Sequence, residues 1–355
     1  MRLFVPGPVD VHPDVLAAQA KAMVPHRSEY FETIFHRAEG ELRKLFFTQY
    51  RVFITTSSGT GLHEAAVRNL VKGRMLSCIN GAFSKRWHAV AVSNGKQVDK
   101  LLTEWNQPIT ADLVANAVKG KNYDIITIVH NETSTGLTNP IQQVAAAVQE
   151  VSPETLVCVD AVSSLSGAKL NMDDWGLDMV LTSSQKCLAL PPGLGFAAVN
   201  DRAMARAEQV DDRGWYFDFV RLEKSRTKNS TPATPAVSLI YSLDLQLKRI
   251  FDEGLENRFA RHSEMAEKVQ SWTMERDLKL YAPEGYRSQT VTTVDHGGEI
   301  DFTELNSYLI EQGVRIANGY GDLKGKTFRI GHMGERQLSD VEDLLATLDS
   351  FLDRK

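Results

Sequence analysis

Two ionisable side chains follow hydrophobic, strand-like runs and have the chemistry to act together on a small ligand. Lys186 follows the run DMVLTSS and precedes a PPG turn, and Asp160 closes the apolar run TLVCVDA. Most lysines keep their ammonium group in water, so a solvated Lys186 is the default interpretation. The alternative is a buried amine whose lowered pKa lets it form a Schiff base with an aldehyde.

A third stretch, TTSSGTGLHEAA, has the pattern of a strand, a small-residue turn and the start of a helix. Backbone amides at such a turn bind anions, with Ser58, Gly59 and Thr60 as the cradle. The stretch is neither a Walker loop nor a GxGxxG dinucleotide turn. Asp160 needs either a cationic partner or a capping role. An anion cradle, a carboxylate and an amine together match what pyridoxal phosphate needs: a phosphate site, a partner for its pyridine nitrogen and a Schiff-base amine.

The elements that must position these residues alternate between short apolar strands and amphipathic helices. Strands that are apolar on both faces and alternate with helices predict a mostly parallel sheet, covered on both sides. Ligands bind at the carboxyl ends of the strands in such a sheet. Apolar residues at helical spacing after Ser28 predict a helix that this serine caps. The predicted strands are 51–56, 75–80, 124–130, 155–161, 178–184 and 195–200.

The pattern changes near residue 250. The order of helical and strand patterns after this point is typical of a smaller α+β domain. These patterns are ENRFARHSEMAEKVQSW, QTVTTVDH, FTELNSYLIEQG, TFRIGHMG and SDVEDLLATLDSFL. A chain of 355 residues is also long for one hydrophobic core. We therefore predict an N-terminal arm over residues 1–15, a large α/β domain over 16–250 and a small C-terminal domain over 251–355.

Composition indicates a soluble globular protein: 43% of the residues are hydrophobic, 24% are charged and the net charge is −5. This charge gives no general attraction to nucleic acid or to anionic membranes. No apolar run has the length of a membrane span or of a signal peptide. Cys78, Cys158 and Cys187 are odd in number and widely spaced, which favours reduced thiols over disulfides or a zinc site. We expect a cytoplasmic protein.

The chain resembles the class V, fold-type I aminotransferases, and among them the alanine–glyoxylate and serine–pyruvate aminotransferase group. The resemblance covers nearly the whole chain and is carried by FVPGPV, HRSEYF, SSGTGLHEAA, NGAFSKRW, ETSTGLTNP, VDAVSSLSG, SSQKCLALPPGLG, TPATPAVSLIYSL and FRIGHMG. It implies the fold-type I transferase architecture, pyridoxal phosphate as cofactor and a homodimer in which each subunit contacts the phosphate held by its partner.

The resemblance also implies roles for individual residues. Lys186 is the Schiff-base amine, Asp160 pairs with the pyridine nitrogen, and Arg329 binds the substrate carboxylate in a pocket that includes Gly7. The other residues implied to bind the cofactor are Phe83 and Val162 on the two ring faces, Thr133 and Gln185 as hydrogen-bonding groups, Ser58, Gly59 and Thr60 at the phosphate, and Thr231 and Thr234 from the partner subunit. The animal alanine–glyoxylate enzyme has tryptophan, histidine and tyrosine where this chain has Phe83, Thr60 and Thr231, so the substrate is less defined than the cofactor.

The implied reaction moves an amino group from alanine or serine to glyoxylate or pyruvate in two half-reactions, by a ping-pong mechanism. One carboxylate clamp and a pocket framed by PGPV, Thr133 and the PPG turn favour such small substrates. Arg27 is the only further cation expected near the site, and it leaves open 2-aminoethylphosphonate or another class V substrate. A cysteine desulfurase is disfavoured because no cysteine follows Cys187, which we interpret as a packed residue. A non-catalytic subunit is disfavoured because both Asp160 and Lys186 are present.

Overall fold

The computed structural model describes residues 1–354 and contains a seven-stranded sheet and a separate four-stranded sheet. The strands are β1 (Arg2–Leu3), β2 (Arg51–Thr56), β3 (Arg74–Ile79), β4 (Gln97–Leu102), β5 (Ile125–Val129), β6 (Asn131–Glu132), β7 (Leu137–Thr138), β8 (Leu156–Asp160), β9 (Met179–Ser183), β10 (Leu194–Val199), β11 (Lys279–Leu280), β12 (Val291–Asp295), β13 (Val314–Arg315), β14 (Ala317–Asn318) and β15 (Thr327–Gly331).

Helices connect most of these strands. The α-helices are α1 (Pro13–Ala17), α2 (Glu29–Leu45), α3 (Gly59–Leu70), α4 (Ala82–Ser93), α5 (Ala111–Val118), α6 (Ile141–Val151), α7 (Asp201–Glu208), α8 (Phe219–Arg226), α9 (Val237–Glu253), α10 (Leu255–Glu275), α11 (Phe302–Glu311) and α12 (Leu338–Leu352). Short 3-10 helices lie at Ala18–Ala20 and Gly321–Leu323. Within residues 1–354, no helix combines the length and the apolar character that crossing a membrane requires.

The large sheet has the strand order β2-β10-β9-β8-β5-β3-β4. Neighbours from β9 through β4 pair in parallel, whereas β10 is antiparallel to both β2 and β9. The mostly parallel α/β sheet expected from the sequence is therefore confirmed, and all six predicted strands are present with ends shifted by one or two residues at most. The seventh strand, β4, was not predicted, because it lies at the sheet edge and its sequence QVDKLL is polar and partly exposed.

Two hydrophobic clusters cover the large sheet. The larger cluster includes α2, whose buried face presents Phe31, Phe35 and Leu42 toward it. The Ser28 hydroxyl accepts a hydrogen bond from the Phe31 amide at 3.4 Å, so this serine caps the helix as the sequence predicts. The second cluster includes residues of α3, α4 and α7. Because both faces are covered, the carboxyl ends of the parallel strands are what remains open to a ligand.

The four-stranded sheet has the order β11-β12-β15-β14, and α10, α11 and α12 contribute to its hydrophobic cluster. Gly254 separates α9 from α10, and its φ of 83° lies in the left-handed region that glycine adopts readily. The predicted domain boundary at residue 250 thus falls in the last turn of α9. The N-terminal residues also contribute to this region, because β1 pairs with β13 and Phe4 joins its hydrophobic cluster.

Candidate active site

Two adjoining cavities meet at Lys186. The inner cavity has a volume of about 120 Å³ and the outer cavity about 560 Å³. Phe83, Thr133 and Lys186 line both. The other residues of the inner cavity are Ser58, Gly59, Thr60, His63, Arg86, Val129, Asn131, Asp160, Val162, Ser183 and Gln185. The other residues of the outer cavity are Leu3, Val5, Pro6, Gly7, Pro8, Phe302, Asn306, Arg315, Ile316, Ala317, Asn318, Tyr320 and Arg329.

Lys186 lies three residues beyond β9, in the ten-residue loop 184–193 that leads to β10. Its Nζ donates a hydrogen bond to the carbonyl oxygen of Pro6. A Cβ at Gly7 would lie 2.5 Å from Nζ, so only glycine leaves room for the amine there. Burial, reinforced by the positive charge of Arg329, lowers the pKa of Lys186 to about 8. The half-buried Lys186, whose amine has a lowered pKa, favours the second of the two interpretations that the sequence left open, and its Schiff-base role stays a prediction.

Asp160 ends β8, and its carboxylate has two partners. Oδ1 accepts a hydrogen bond from the Val162 amide at 2.7 Å, and Oδ2 lies 2.7 Å from Nε2 of His63. The aspartate thus has a local backbone partner and a histidine partner, whereas no lysine or arginine forms an ion pair with it within residues 1–354. Sequence reasoning missed His63, although it lies one helical turn after Thr60 and therefore faces the same way.

The anion cradle is the start of α3. Ser58 is the N-cap residue, its side chain makes no capping hydrogen bond, and the amides of the first turn are the ones a helix leaves without internal partners. A Cβ at Gly59 would lie 2.6 Å from Cγ2 of Val162, so glycine is required for the loop to approach this strand end. Ser58, Gly59 and Thr60 border the same cavity as Lys186 and Asp160, as the sequence predicts.

Arg329 lies in the middle of β15 and is only 7% exposed. Its Nε donates to the Asn318 carbonyl at 3.1 Å and its Nη1 to the Thr133 carbonyl at 3.3 Å. Within residues 1–354 it forms no ion pair with a carboxylate. Burial lowers its pKa to about 10, so it stays cationic at neutral pH. A buried cation without a counter-ion is costly, and an anionic ligand would relieve that cost.

Phe83 lies on the first turn of α4 and stacks against Tyr320, with ring centroids 5.3 Å apart. The fully buried carboxylate of Glu132 holds this helix start. It accepts hydrogen bonds from the amides of Phe83 at 3.2 Å and Ser84 at 2.9 Å. Glu132 also accepts from the hydroxyl of Ser134 at 2.6 Å. It belongs to the sequence stretch NETSTG, where it was not singled out.

A second cation, Arg86, lies beside the inner cavity. Its guanidinium is 4.9 Å from the centre of the Phe83 ring, and Nη2 donates to the Tyr320 hydroxyl at 2.8 Å. Its charge contributes to the lowered pKa of Lys186. The expectation that Arg27 is the only further cation near the site was wrong, since Arg86 lines the inner cavity, whereas Arg27 is exposed and lines neither cavity of the single chain. Arg86 follows Phe83 by three residues, and this helical spacing was the signal that sequence analysis overlooked.

The expected frame of the substrate pocket needs one correction. Gly7 and Thr133 line the outer cavity, as predicted, but the PPG turn does not. The carbonyl of Gly193 in that turn accepts from the Ser57 amide at 2.9 Å, so the turn supports the anion cradle instead. The outer cavity also has a further cation, Arg315, which is exposed. It is therefore larger and more cationic than the sequence analysis assumed.

The remaining predicted residues occupy different places. Gln185 borders the inner cavity next to Lys186, and the Thr133 hydroxyl donates to Ser163 at 2.7 Å. Thr231 and Thr234 line a separate small pocket beside Thr56. Thr234 is exposed, while the buried hydroxyl of Thr231 donates to the Ala233 carbonyl at 2.7 Å. Their contact with a partner subunit stays a prediction.

Cys187 follows Lys186 but is fully buried. Its thiol donates to the Ser163 carbonyl at 3.3 Å, and burial raises its pKa to about 12. A protonated, inaccessible thiol is neither a nucleophile nor an exposed redox switch. The interpretation of Cys187 as a packed residue agrees with this environment.

The class V aminotransferase family model matches residues 14–323. This chain belongs to the class V aminotransferases. It is 35% identical to an L-aspartate–glyoxylate aminotransferase of Paracoccus denitrificans over 94% of this chain and 86% of that one. It is 32% identical to a serine–glyoxylate aminotransferase of Methylorubrum extorquens over the same shares. An alanine–glyoxylate aminotransferase of a Nostoc species superimposes with a TM-score of 0.93 at 29% identity, covering 99% of this chain and 94% of that one.

The protein is therefore a fold-type I transaminase that uses pyridoxal phosphate, as the sequence resemblance implied. The residues present fit this cofactor. The inner cavity holds a carboxylate, an amine with a lowered pKa and the free amides of a helix start. The Ser183 hydroxyl on its wall is buried and has no hydrogen-bond partner within residues 1–354, so a ligand group can satisfy it.

Proposed function

We propose that this aminotransferase moves the amino group of a small amino acid, alanine or serine, to glyoxylate or pyruvate. The observation that carries the proposal is Arg329, a buried cation without a carboxylate partner in a cavity shared with Lys186. An α-carboxylate is the group that donor and acceptor have in common, and a guanidinium binds it with two parallel hydrogen bonds. The three relatives named above differ in their donors, but all carry glyoxylate in their names.

In the proposed mechanism, Arg329 fixes the substrate carboxylate and so directs the Cα–H bond toward Lys186. Once pyridoxal phosphate is bound, it supplies a π-system that accepts the electron pair left at Cα. Lys186 would take the Cα proton and deliver it to the cofactor carbon that carries the transferred nitrogen. Its pKa of about 8 suits this work, because a base is most effective when its pKa lies near the working pH.

Other side chains would hold the cofactor in position. Asp160 would keep a proton on the pyridine nitrogen, and the amides of Ser58, Gly59 and Thr60 would bind the phosphate. Phe83 and Val162 would pack on the ring faces, and Thr133 and Gln185 would hydrogen-bond the ring substituents. The presence of all these residues around one cavity supports the assignment.

We further propose a cytoplasmic homodimer in which Thr234, and with it Thr231, reaches the phosphate bound by the partner subunit. Thr234 is exposed in the single chain and close in space to Thr56, two residues before the anion cradle. This position on the surface suits a residue that completes a neighbour's site. The three buried, unpaired cysteines suit a reducing compartment.

A second candidate function is favoured by Arg86. Its guanidinium forms no ion pair within residues 1–354 and lies close enough to lower the pKa of Lys186, so it is available to a second anionic group on the substrate. Aspartate as the donor would supply that group. Arg27, on which the 2-aminoethylphosphonate alternative depended, lines neither cavity of the single chain, so this alternative has less support from the structure than aspartate has.

A donor panel on the purified enzyme separates these candidates. The conversion of bound cofactor to pyridoxamine phosphate is followed by absorbance with alanine, serine, aspartate or 2-aminoethylphosphonate. We expect alanine and serine to react fastest, because Arg86 already donates to the Tyr320 hydroxyl and Arg315 is exposed. A side-chain carboxylate that loses its water would then lack a fully available buried partner, which costs a few kcal/mol, or roughly a hundredfold in rate. No conversion by any donor in an enzyme that carries the cofactor would contradict the proposed transamination itself.

The variant Arg86→Gln tests the second candidate, with Lys85→Gln as a control that removes one exposed charge from the same helix. If aspartate is the fastest donor and only Arg86→Gln slows it selectively, aspartate replaces alanine and serine as the donor. If alanine and serine remain fastest in both variants, the first proposal stands.

A further inference from the structure

His63 forms a buried pair with Asp160, and the mechanism proposed above gives this histidine no role. The two side chains are 3% and 5% exposed, and Nε2 of His63 lies 2.7 Å from Oδ2 of Asp160. Within residues 1–354, His63 is the only basic side chain that Asp160 contacts. Together with the Val162 amide, the histidine therefore fixes the position of the Asp160 carboxylate.

Trp87 fixes the position of the His63 ring. The indole stacks on the imidazole with centroids 4.6 Å apart and planes inclined by 14°. The indole N–H also donates to the backbone carbonyl of His63 at 3.2 Å. A ring held this way by its neighbours has one orientation, and that orientation aims Nε2 at the aspartate.

The second ring nitrogen determines which tautomer is present. Nδ1 of His63 is buried and has no hydrogen-bond partner within residues 1–354. A proton on Nδ1 would be a buried donor without an acceptor, and the Nδ1–H tautomer would turn the lone pair of Nε2 toward the carboxylate of Asp160. The neutral tautomer with its proton on Nε2 avoids this cost and donates that proton to Asp160.

We infer that His63 is a positioning residue that holds the Asp160 carboxylate oriented toward the pyridine nitrogen of the cofactor. Its Nε2–H and the Val162 amide each donate to one carboxylate oxygen, so the carboxylate is fixed at both oxygens. Each oxygen keeps a further lone pair for the pyridinium proton. The inference rests on the proposed pairing of Asp160 with that nitrogen.

The test measures cofactor affinity, separately from turnover. Dissociation constants are determined for pyridoxal phosphate and for an analogue in which a C–H group replaces the pyridine nitrogen. The variant His63→Leu removes the donor, His63→Phe removes it while keeping a ring beside Trp87, and His63→Gln keeps an N–H donor. We expect His63→Leu and His63→Phe to weaken the binding of pyridoxal phosphate roughly tenfold more than the binding of the analogue. In His63→Gln, the affinity for pyridoxal phosphate should return most of the way to that of the wild type.

Each outcome is decisive. An equal loss of affinity for both compounds in the Leu and Phe variants would mean that His63 only packs, and the inference would be overturned. The variant Asp160→Asn is measured in parallel. If it weakens both compounds equally, the proposed pairing of Asp160 with the nitrogen is wrong. If it discriminates between them but the His63 variants do not, the pairing holds and only the role of His63 fails.

Discussion

At the scale of single residues, the site depends on two cations that lie close together in one pocket. Arg329 is buried and unpaired, and its charge is one of the causes that lower the pKa of Lys186 to about 8. The same arginine thus has two proposed effects: it binds the carboxylate, and it keeps the nearby amine neutral at a lower pH. A substitution at Arg329 should therefore change both substrate binding and the titration of Lys186.

We expect the rate at which the apoenzyme takes up pyridoxal phosphate to rise with pH through a midpoint near 8. The neutral amine is the reactive form, and its fraction follows the pKa of Lys186. The variant Arg329→Gln removes a positive neighbour, so its midpoint should move upward. The measurement is the borohydride-reducible absorbance gained at each pH.

Two controls accompany that titration. Lys186→Ala should show no reducible absorbance at any pH, which assigns the signal to this lysine. Lys169→Gln changes an exposed lysine and should leave the midpoint where it is. A wild-type midpoint above pH 10 would contradict the lowered pKa.

At the scale of elements, the segment of β6 and β7 supports the helix that carries Phe83. The buried carboxylate of Glu132 accepts from two amides at the start of α4 and from two serine hydroxyls. A negative charge near a helix N-terminus is stabilised by the helix dipole as well as by these bonds. Phe83 and Arg86 both lie in the first turns of α4, so the carboxylate of Glu132 helps to position two proposed site residues.

Glu132→Gln should lower the free energy of unfolding by about 2 kcal/mol, because an amide cannot accept all of these hydrogen bonds. Urea unfolding measures the loss. Glu150→Gln on the exposed side of α6 is the matched control and should change stability by no more than about 0.5 kcal/mol. We also expect weaker binding of pyridoxal phosphate in the first variant alone. Equal stability of the two variants would show that the capping role is absent.

The sequence alone was sufficient to predict the positions of those strands whose residues are buried on both faces of the sheet. Strands such as β5, β8 and β9 are continuous apolar runs, so their positions and the residues that follow them could be predicted. Lys186 and Asp160 were found in this way. The edge strand β4 was not, because its exposed residues interrupt the apolar pattern.

Residues inside helices were harder to predict than residues at strand ends. His63 and Arg86 each lie one turn after a residue that the sequence did indicate, but only the direction of the helix in space shows that they reach the site. Arg86 was consequently overlooked, and Arg27 was predicted instead as the further cation near the site. The partner-subunit roles of Thr231 and Thr234 depend on a second chain, and no pattern within one chain can test them.

At the scale of the whole molecule, three buried histidines make folding sensitive to acid. Burial lowers the pKa of His130 and His332 to about 4, and that of His262 well below its usual range. Between pH 6.5 and 4 the unfolded chain therefore binds protons that the folded protein does not. The free energy of unfolding should fall as the pH falls through this window, by about 1.4 kcal/mol per pH unit for each histidine.

Urea unfolding at pH 7 and pH 5 measures this dependence. His332→Gln removes one of the three groups, so its stability should fall less steeply than that of the wild type. His36→Gln changes an exposed histidine and serves as the control. A variant at position 332 that loses stability as steeply as the wild type would contradict the argument, whatever its stability at pH 7.

The N-terminal residues connect the two halves of the molecule. Strand β1 pairs with β13, Val9 donates its amide to the Gln185 carbonyl, and the carbonyl of Pro6 accepts from Lys186. On the ribosome, residues 2–9 emerge long before their partners at 314–315. The wall that these N-terminal residues form around Lys186 is therefore anchored to β13 only when synthesis of the chain is nearly complete. A nascent chain with a finished large sheet would still leave Lys186 open to cellular aldehydes until that last pairing forms.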